Sequence, residues 1–142
     1  MRQLGGAAPA REELYRRCTF NLVARNQDDH VKNISFLMDE PGGWRFAPAY
    51  DLTYGYDPQN RWMAQHQMGV NGKFDGFTCE DLMALADTAS LSKCIAAEIV
   101  EQVARAVPRW EEFAAQAGAP ETYMQQTKTN HCLYLAGDIA GA

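Results

Sequence analysis

The sequence predicts a mainly α-helical domain that carries one small β-hairpin. Three observations lead there. Apolar residues recur at helical spacing near the start of the chain and over most of the region after residue 77. Two short apolar runs flank a Pro-Gly-Gly turn at 41–43. Between Asp51 and Phe77 the chain is rich in Gly, Asn, Gln, Tyr and Met and sustains no period, so it reads as one long loop.

The elements follow in order. Residues 1–10 lack an apolar run and read as a flexible leader to a domain over 11–142. A first helix is expected from about Arg11 to Arg25, on Leu14, Cys18, Leu22 and Tyr15. Asn26-Gln27-Asp28-Asp29-His30 breaks that pattern with turn-favouring residues. Ile34–Met38 and Trp44–Phe46 form the hairpin strands, and Pro48 ends the second. Thr78 and Asp81 have the spacing of a capping box ahead of a helix bearing Leu82, Leu85 and Ala86. A longer helix starts near Ser90, with Ile95, Ile99, Val103 and Val107 as its buried stripe. Pro108 suits the first turn of a helix through Trp110 and Phe113 that ends near Gly118. Pro120 opens a last helix carrying Tyr123, Leu133 and Leu135. Trp44, Trp110 and Phe113 are assigned to the core with that stripe, and the isolated His66 and His131 to ordinary satisfied polar positions.

Composition excludes several classes of function. The net charge of −5 opposes binding to nucleic acid or anionic lipid, because phosphate contacts need clustered Lys and Arg. The cysteines at 18, 79, 94 and 132 form no Cys-x-x-Cys pair, which argues against a zinc site or a disulfide framework and for reduced thiols in a cytoplasm. No apolar run approaches the roughly 20 residues of a membrane span.

Chemistry concentrates between the first helix and the long loop. Asp28 and Asn33 give D-x-x-x-x-N, the spacing of a protein-kinase catalytic loop. There a carboxylate accepts or orients the proton of the attacking hydroxyl, and an amide oxygen holds Mg²⁺ against the phosphates. Taken alone, the pattern reads more readily as a polar turn between a helix and a strand. Asp51 follows directly after the hairpin, where a kinase places its second metal-binding aspartate; alone it reads as a turn-capping Asp. An Asp and an Asn supplying oxygens, with water and substrate phosphates completing the shell, suit Mg²⁺. The three are expected to converge on one solvent-open cleft, with Lys32 as the cation relieving their repulsion.

The run Phe20-Asn21-Leu22-Val23-Ala24-Arg25-Asn26-Gln27-Asp28-Asp29-His30-Val31-Lys32-Asn33 resembles the signature segment of HipA-type kinases, with N-x-D-x-H-x-K-N at its end. Trp44-Arg45-Phe46-Ala47-Pro48-Ala49-Tyr50-Asp51-Leu52 resembles the family's L-x-P-x-Y-D segment. Val70–Lys73 and Thr129–Leu135 resemble later stretches more loosely, so the resemblance covers roughly residues 14 to 137. It implies the helical C-lobe of a HipA/kinase-like fold. It also implies a catalytic base at Asp28, Mg²⁺ ligands at Asn33 and Asp51, and supporting roles for His30 and Lys32. His30 would bond either the loop backbone or the Asp51 region; Lys32 would either neutralise the acidic cluster or approach a phosphate. Asp29 falls where the family varies and is not the base. Tyr54, Tyr56, Arg61, Trp62 and Met63 either contact a protein substrate or pack against another lobe.

No phosphate-cradling G-x-G-x-x-G or G-x-x-x-x-G-K-[ST] is present. The resemblance therefore implies a truncated gene product, a split gene or an expressed fragment, inactive alone and using Mg²⁺ with ATP only once an N-terminal kinase lobe is supplied in trans. The expected function is the catalytic half of a serine/threonine protein kinase toxin with a protein substrate and a HipB-like DNA-binding antitoxin. The alternative is a non-catalytic module that binds an antitoxin-like protein or a second kinase fragment.

Overall fold

The computed structural model describes residues 8–137, and the expected leader lies largely outside them. Five α-helices and one two-stranded hairpin are present among the described residues. The architecture is mainly α with a small β-hairpin. No described helix is long and apolar enough to cross a membrane.

Helix α1 spans Ala8–Val23, starting three residues before the expected Arg11 and stopping before Arg25. It stops because Arg25 turns left-handed, with φ of 56°, and the Asn26 amide bonds back to the Asn21 carbonyl. Its buried face is Tyr15, Thr19, Leu22 and Val23, one step round from the Leu14–Cys18 line. Leu14 and Cys18 point instead toward the cleft described below. The Tyr15 hydroxyl donates to the Leu82 carbonyl at 3.2 Å, pinning α1 to the helix carrying Leu82.

That helix, α2 (Cys79–Thr88), begins with the predicted capping arrangement. The Thr78 amide donates to Asp81 Oδ2 at 2.8 Å. Asp81 also accepts from Asn71 Nδ2 and Lys73 Nζ, both at 2.8 Å, so the cap fastens the Val70–Lys73 turn to α2. Helix α3 (Lys93–Ala106) starts at Ser92, whose hydroxyl accepts from the Ile95 amide. Ile99, Val103 and Val107 are buried as expected, joined by Ala96 and Val100, while Ile95 is half-buried. They meet Tyr15, Leu22, Val23, Leu82 and Ala86 in one core.

Helices α4 (Trp110–Gln116) and α5 (Glu121–Asn130) close the fold. The expected single last helix is broken. His131 turns extended, the Cys132 amide donates to the Val23 carbonyl at 2.8 Å, and Leu133–Ala136 form a 3-10 turn that buries Leu135. The open carbonyl at the end of α1 captures the chain there and redirects it.

Strands β1 (Phe36–Met38) and β2 (Trp44–Phe46) pair antiparallel, Phe36 opposite Phe46 and Met38 opposite Trp44. An Ala47 to Ser35 bond extends the pairing within the expected 34–47 span. Arg17 carries the hairpin on α1: Nη2 donates to the Ala47 carbonyl at 2.7 Å and the guanidinium lies 4.2 Å over the Phe46 ring. Two core assignments fail. Trp44 is 51% exposed because only the base of the short hairpin is covered by α1, and Phe113 is 53% exposed because α4 buries Ala114 instead.

Candidate functional site

Segment 26–33 leaves α1 as an extended run and ends in a 3-10 turn, Val31–Asn33. The long loop returns beside it. Asn26 and Gly55 form a parallel bridge, with the Gln27 amide donating to the Gly55 carbonyl and the Gly55 amide to the Arg25 carbonyl. Gly55 permits this approach: an added Cβ would lie 3.2 Å from Met63 Cε and 3.7 Å from the Asp28 nitrogen. Asn26 Nδ2 donates to the Asp51 carbonyl at 3.3 Å, and the Tyr50 hydroxyl to the Lys32 carbonyl at 2.7 Å. The hairpin thus leaves and returns at neighbouring points.

Asn33 and Asp51 consequently line one small cleft, together with Asn26, Asp29, His30 and Met68. Asn33 Nδ2 donates to the Asp28 carbonyl at 3.0 Å, which leaves its oxygen free to accept. Among the described residues neither that oxygen nor the Asp51 carboxylate accepts a hydrogen bond, so both remain available to a hard cation. The Asp28 carboxylate does not line this cleft; its side chain is 49% exposed, with His30 Nε2 3.8 Å away. Asn33 and Asp51 therefore share one cleft, whereas the Asp28 carboxylate does not join them and only its backbone carbonyl is tied to Asn33.

The expected cation is not beside Asp28. Lys32 makes no ion pair among the described residues and contributes its carbonyl to Tyr50, whereas His30 stands beside Asp28. His30 Nδ1 is buried with no hydrogen-bond partner, so it bonds neither the loop backbone nor the Asp51 region. No group of three or more His, Cys, Asp or Glu able to hold a metal occurs among the described residues. A cation here would take two side-chain ligands at most and complete its shell elsewhere.

Asp29 and His66 are the residues that sequence reasoning passed over. Both are buried, and His66 Nδ1 lies 2.8 Å from Asp29 Oδ2. Asp29 Oδ1 accepts from the Gln67 and Met68 amides at 2.7 and 3.1 Å. The Asp28-Asp29 doublet carried a signal for this. Successive side chains of an extended segment point to opposite sides, so one carboxylate of a doublet faces inward and needs donors.

Residues 1–111 match the HipA-like C-terminal domain family. The chain belongs to that family. It is also 29% identical, over 102 residues, to the serine/threonine-protein kinase toxin HipA of Shewanella oneidensis. That match covers 70% of this chain and 23% of the relative, so the HipA-like domain spans about a quarter of the protein it resembles. No solved structure matches. The family match includes the whole of segment 26–55, so the candidate site lies entirely within the HipA-like region.

Beyond it, an aromatic cleft of about 570 Å³ opens between α1, α4, α5 and residues 52–54. Tyr54 belongs to its wall: the hydroxyl accepts from Asn130 Nδ2 at 2.9 Å and the ring meets Tyr123 edge-on at 6.2 Å. His131 also lines it, and burial lowers the pKa of this histidine. Tyr56 stacks under the Arg25 guanidinium at 3.6 Å, and Trp62 remains exposed with Arg61 over its ring.

Proposed function

We propose that the HipA-like domain is the C-terminal catalytic half of a serine/threonine protein kinase that transfers the ATP γ-phosphoryl group to a protein hydroxyl. The observation that carries this is the cleft shared by Asn33 and Asp51, residues separated by a hairpin and presenting oxygens with no hydrogen-bond partner. The relative's description as a serine/threonine-protein kinase toxin supports the class of reaction.

In this reading Asp28, partly exposed, accepts or orients the proton of the acceptor hydroxyl. The His30 imidazole beside it, 3.8 Å from the carboxylate, takes the supporting role. Asn33 Oδ1 and the Asp51 carboxylate would hold Mg²⁺, whose charge would offset that of the phosphate oxygens. Lys32 keeps a supporting role at the exposed mouth. Two side-chain ligands bind Mg²⁺ weakly until nucleotide phosphates join the shell. A nucleotide lobe, supplied by the part of a full-length kinase that this chain does not span, completes the site. The setting is the cytoplasm, where the four free thiols stay reduced, with a DNA-binding antitoxin of the HipB type as regulatory partner.

The test is transfer of radiolabelled phosphate from ATP to a generic protein acceptor. The 142-residue chain alone is expected to give no incorporation. Adding an N-terminal HipA-type lobe in trans should restore it, and Asp28→Asn should abolish what is restored. Restored transfer that survives Asp28→Asn would remove Asp28 from its role. A second reading, a non-catalytic module that binds a partner protein, draws on the exposed Met38 and Trp44 of the hairpin. It predicts partner binding unaffected by Asp28→Asn and no transfer in any combination.

A further inference from the structure

We infer that Asp29 and His66 form a buried positioning clamp that fixes the direction of the Asp28 and Asn33 side chains; the inference rests on the proposed metal-assisted function of the same cleft.

The Asp29 carboxylate sits between the two candidate reactive residues in sequence and on the inner side of the same extended segment. Its three donors all come from one short stretch of the long loop: His66 Nδ1, the Gln67 amide and the Met68 amide. Two of its bonds use Oδ1 and one uses Oδ2, so both oxygens are engaged and the carboxylate cannot rotate. Asp29 is 5% exposed and His66 2%. A charged group buried so deeply is held by every donor it has, because an unpaired one would carry the full desolvation penalty.

The other end of the clamp is equally fixed. The His66 amide donates to the Phe74 carbonyl at 3.0 Å, and its ring meets Phe77 edge-on at 5.3 Å. Phe77 and Val70 belong to the hydrophobic core, so the clamp is anchored to the helices. Since Asp29 is drawn inward, Asp28 is turned outward, and the Asp28 carbonyl stays where Asn33 Nδ2 reaches it. That bond points the Asn33 oxygen away from the backbone. Met68, held by its amide to Asp29, forms part of the cleft wall opposite Asn33 and Asp51. Both Asp29 oxygens are taken by these donors, so Asp29 and His66 act through Asp28, Asn33 and Met68.

The experiment uses the isotopically labelled chain, Mn²⁺ as a paramagnetic probe, and Asp29→Asn. In the unmodified chain Mn²⁺ is expected to broaden the Asn33 side-chain and Asp51 backbone resonances, with Mg²⁺ competing. Asp29→Asn keeps the shape of the side chain but loses its charge. It should weaken this localised effect about tenfold, as removal of a residue that orients a metal ligand does, while core resonances of Ile99 and Val103 stay unchanged. A second readout needs no metal. The Asn33 Nδ2 proton bonded to the Asp28 carbonyl should lie downfield of a free amide proton in the unmodified chain and move toward the free-amide position in Asp29→Asn. Where Asp29→Asn does not fold, His66→Phe replaces it, since it removes only the imidazole bond. Folded variants with unchanged Asn33 signals and unchanged Mn²⁺ broadening overturn the clamp. Absence of localised broadening in the unmodified chain overturns the metal reading instead, and the Asn33 amide protons then decide the clamp alone.

Discussion

Asp51 occupies the left-handed region, with φ of 56°, where an L-residue crowds its own following carbonyl. Strain of this kind collects at sites whose geometry serves something other than stability. Asp51→Gly should therefore be more stable than Asp51→Ala by about 1 kcal/mol, the left-handed penalty carried by alanine and not by glycine. Urea unfolding of the two variants measures the difference, and equal midpoints would show that the backbone there relaxes freely. Asp81 offers a pH test. Burial raises its pKa, but hydrogen bonds from Lys73, Asn71 and Thr78 outweigh that and hold it at about 2, against an ordinary 3.8. Because the folded value is depressed, its stabilisation is complete above pH 3.8 and lost as pH falls toward about 2. Lys73→Met should lower stability at neutral pH, and the deficit should shrink across that window; a deficit independent of pH would mean that Lys73 acts by packing. Asp28, Asn33 and Asp51 were singled out in the sequence by residue type and spacing, and the cleft groups two of them, Asn33 and Asp51. The Asp29–His66 pair was not, because its members lie 37 residues apart and no local pattern links them.

Helices were the legible elements, since each buries a periodic face: the Ile99–Val107 line and the Thr78–Asp81 cap both stand where the pattern put them. Element ends were less legible. Helix α1 stops where Arg25 turns left-handed, and the last helix breaks where the Val23 carbonyl takes the Cys132 amide. Both depend on partners that meet only in the folded chain. The hairpin was found from its turn, but its exposed Trp44 was read as core because an aromatic residue gives no sign of which strand end will be covered. The long loop had no period, and its order comes from side-chain and backbone bonds instead. Gly55 is a tight point of that order. Gly55→Val should push the loop from the Asp28 backbone and Met63, costing about 1–3 kcal/mol as overpacking does. Amide exchange at Gln27, whose N–H bonds the Gly55 carbonyl, reports it. Unchanged protection at Gln27 would show that Met63 alone moves aside.

Taken as a whole, the molecule is a helical core with an apolar hairpin standing on one side. Met38 and Trp44 are 60% and 51% exposed and sit opposite one another across the strands. An exposed apolar pair suits contact with another body, and in the proposed function that body is the nucleotide lobe. The chain by itself should accordingly self-associate with rising concentration, and Trp44→Ser should reduce this in sedimentation velocity. A monomer at every concentration would count against a covered hairpin. The Asn26–Gly55 bridge has a different kind of consequence. It closes residues 27–54 into a ring pinned at its base, and Asp28, Asn33 and Asp51 all ride inside it. Kinetically, α1, α2 and α3 can dock on their shared core before that ring shuts, so the ring belongs after the folding barrier. Tyr50→Phe, which deletes the hydroxyl bond to the Lys32 carbonyl, should then speed unfolding and leave the refolding rate unchanged in stopped-flow traces. Slower refolding would put the ring in the nucleus; faster unfolding alone places the closing of the ring, with Asp28, Asn33 and Asp51 on it, after the rate-limiting step.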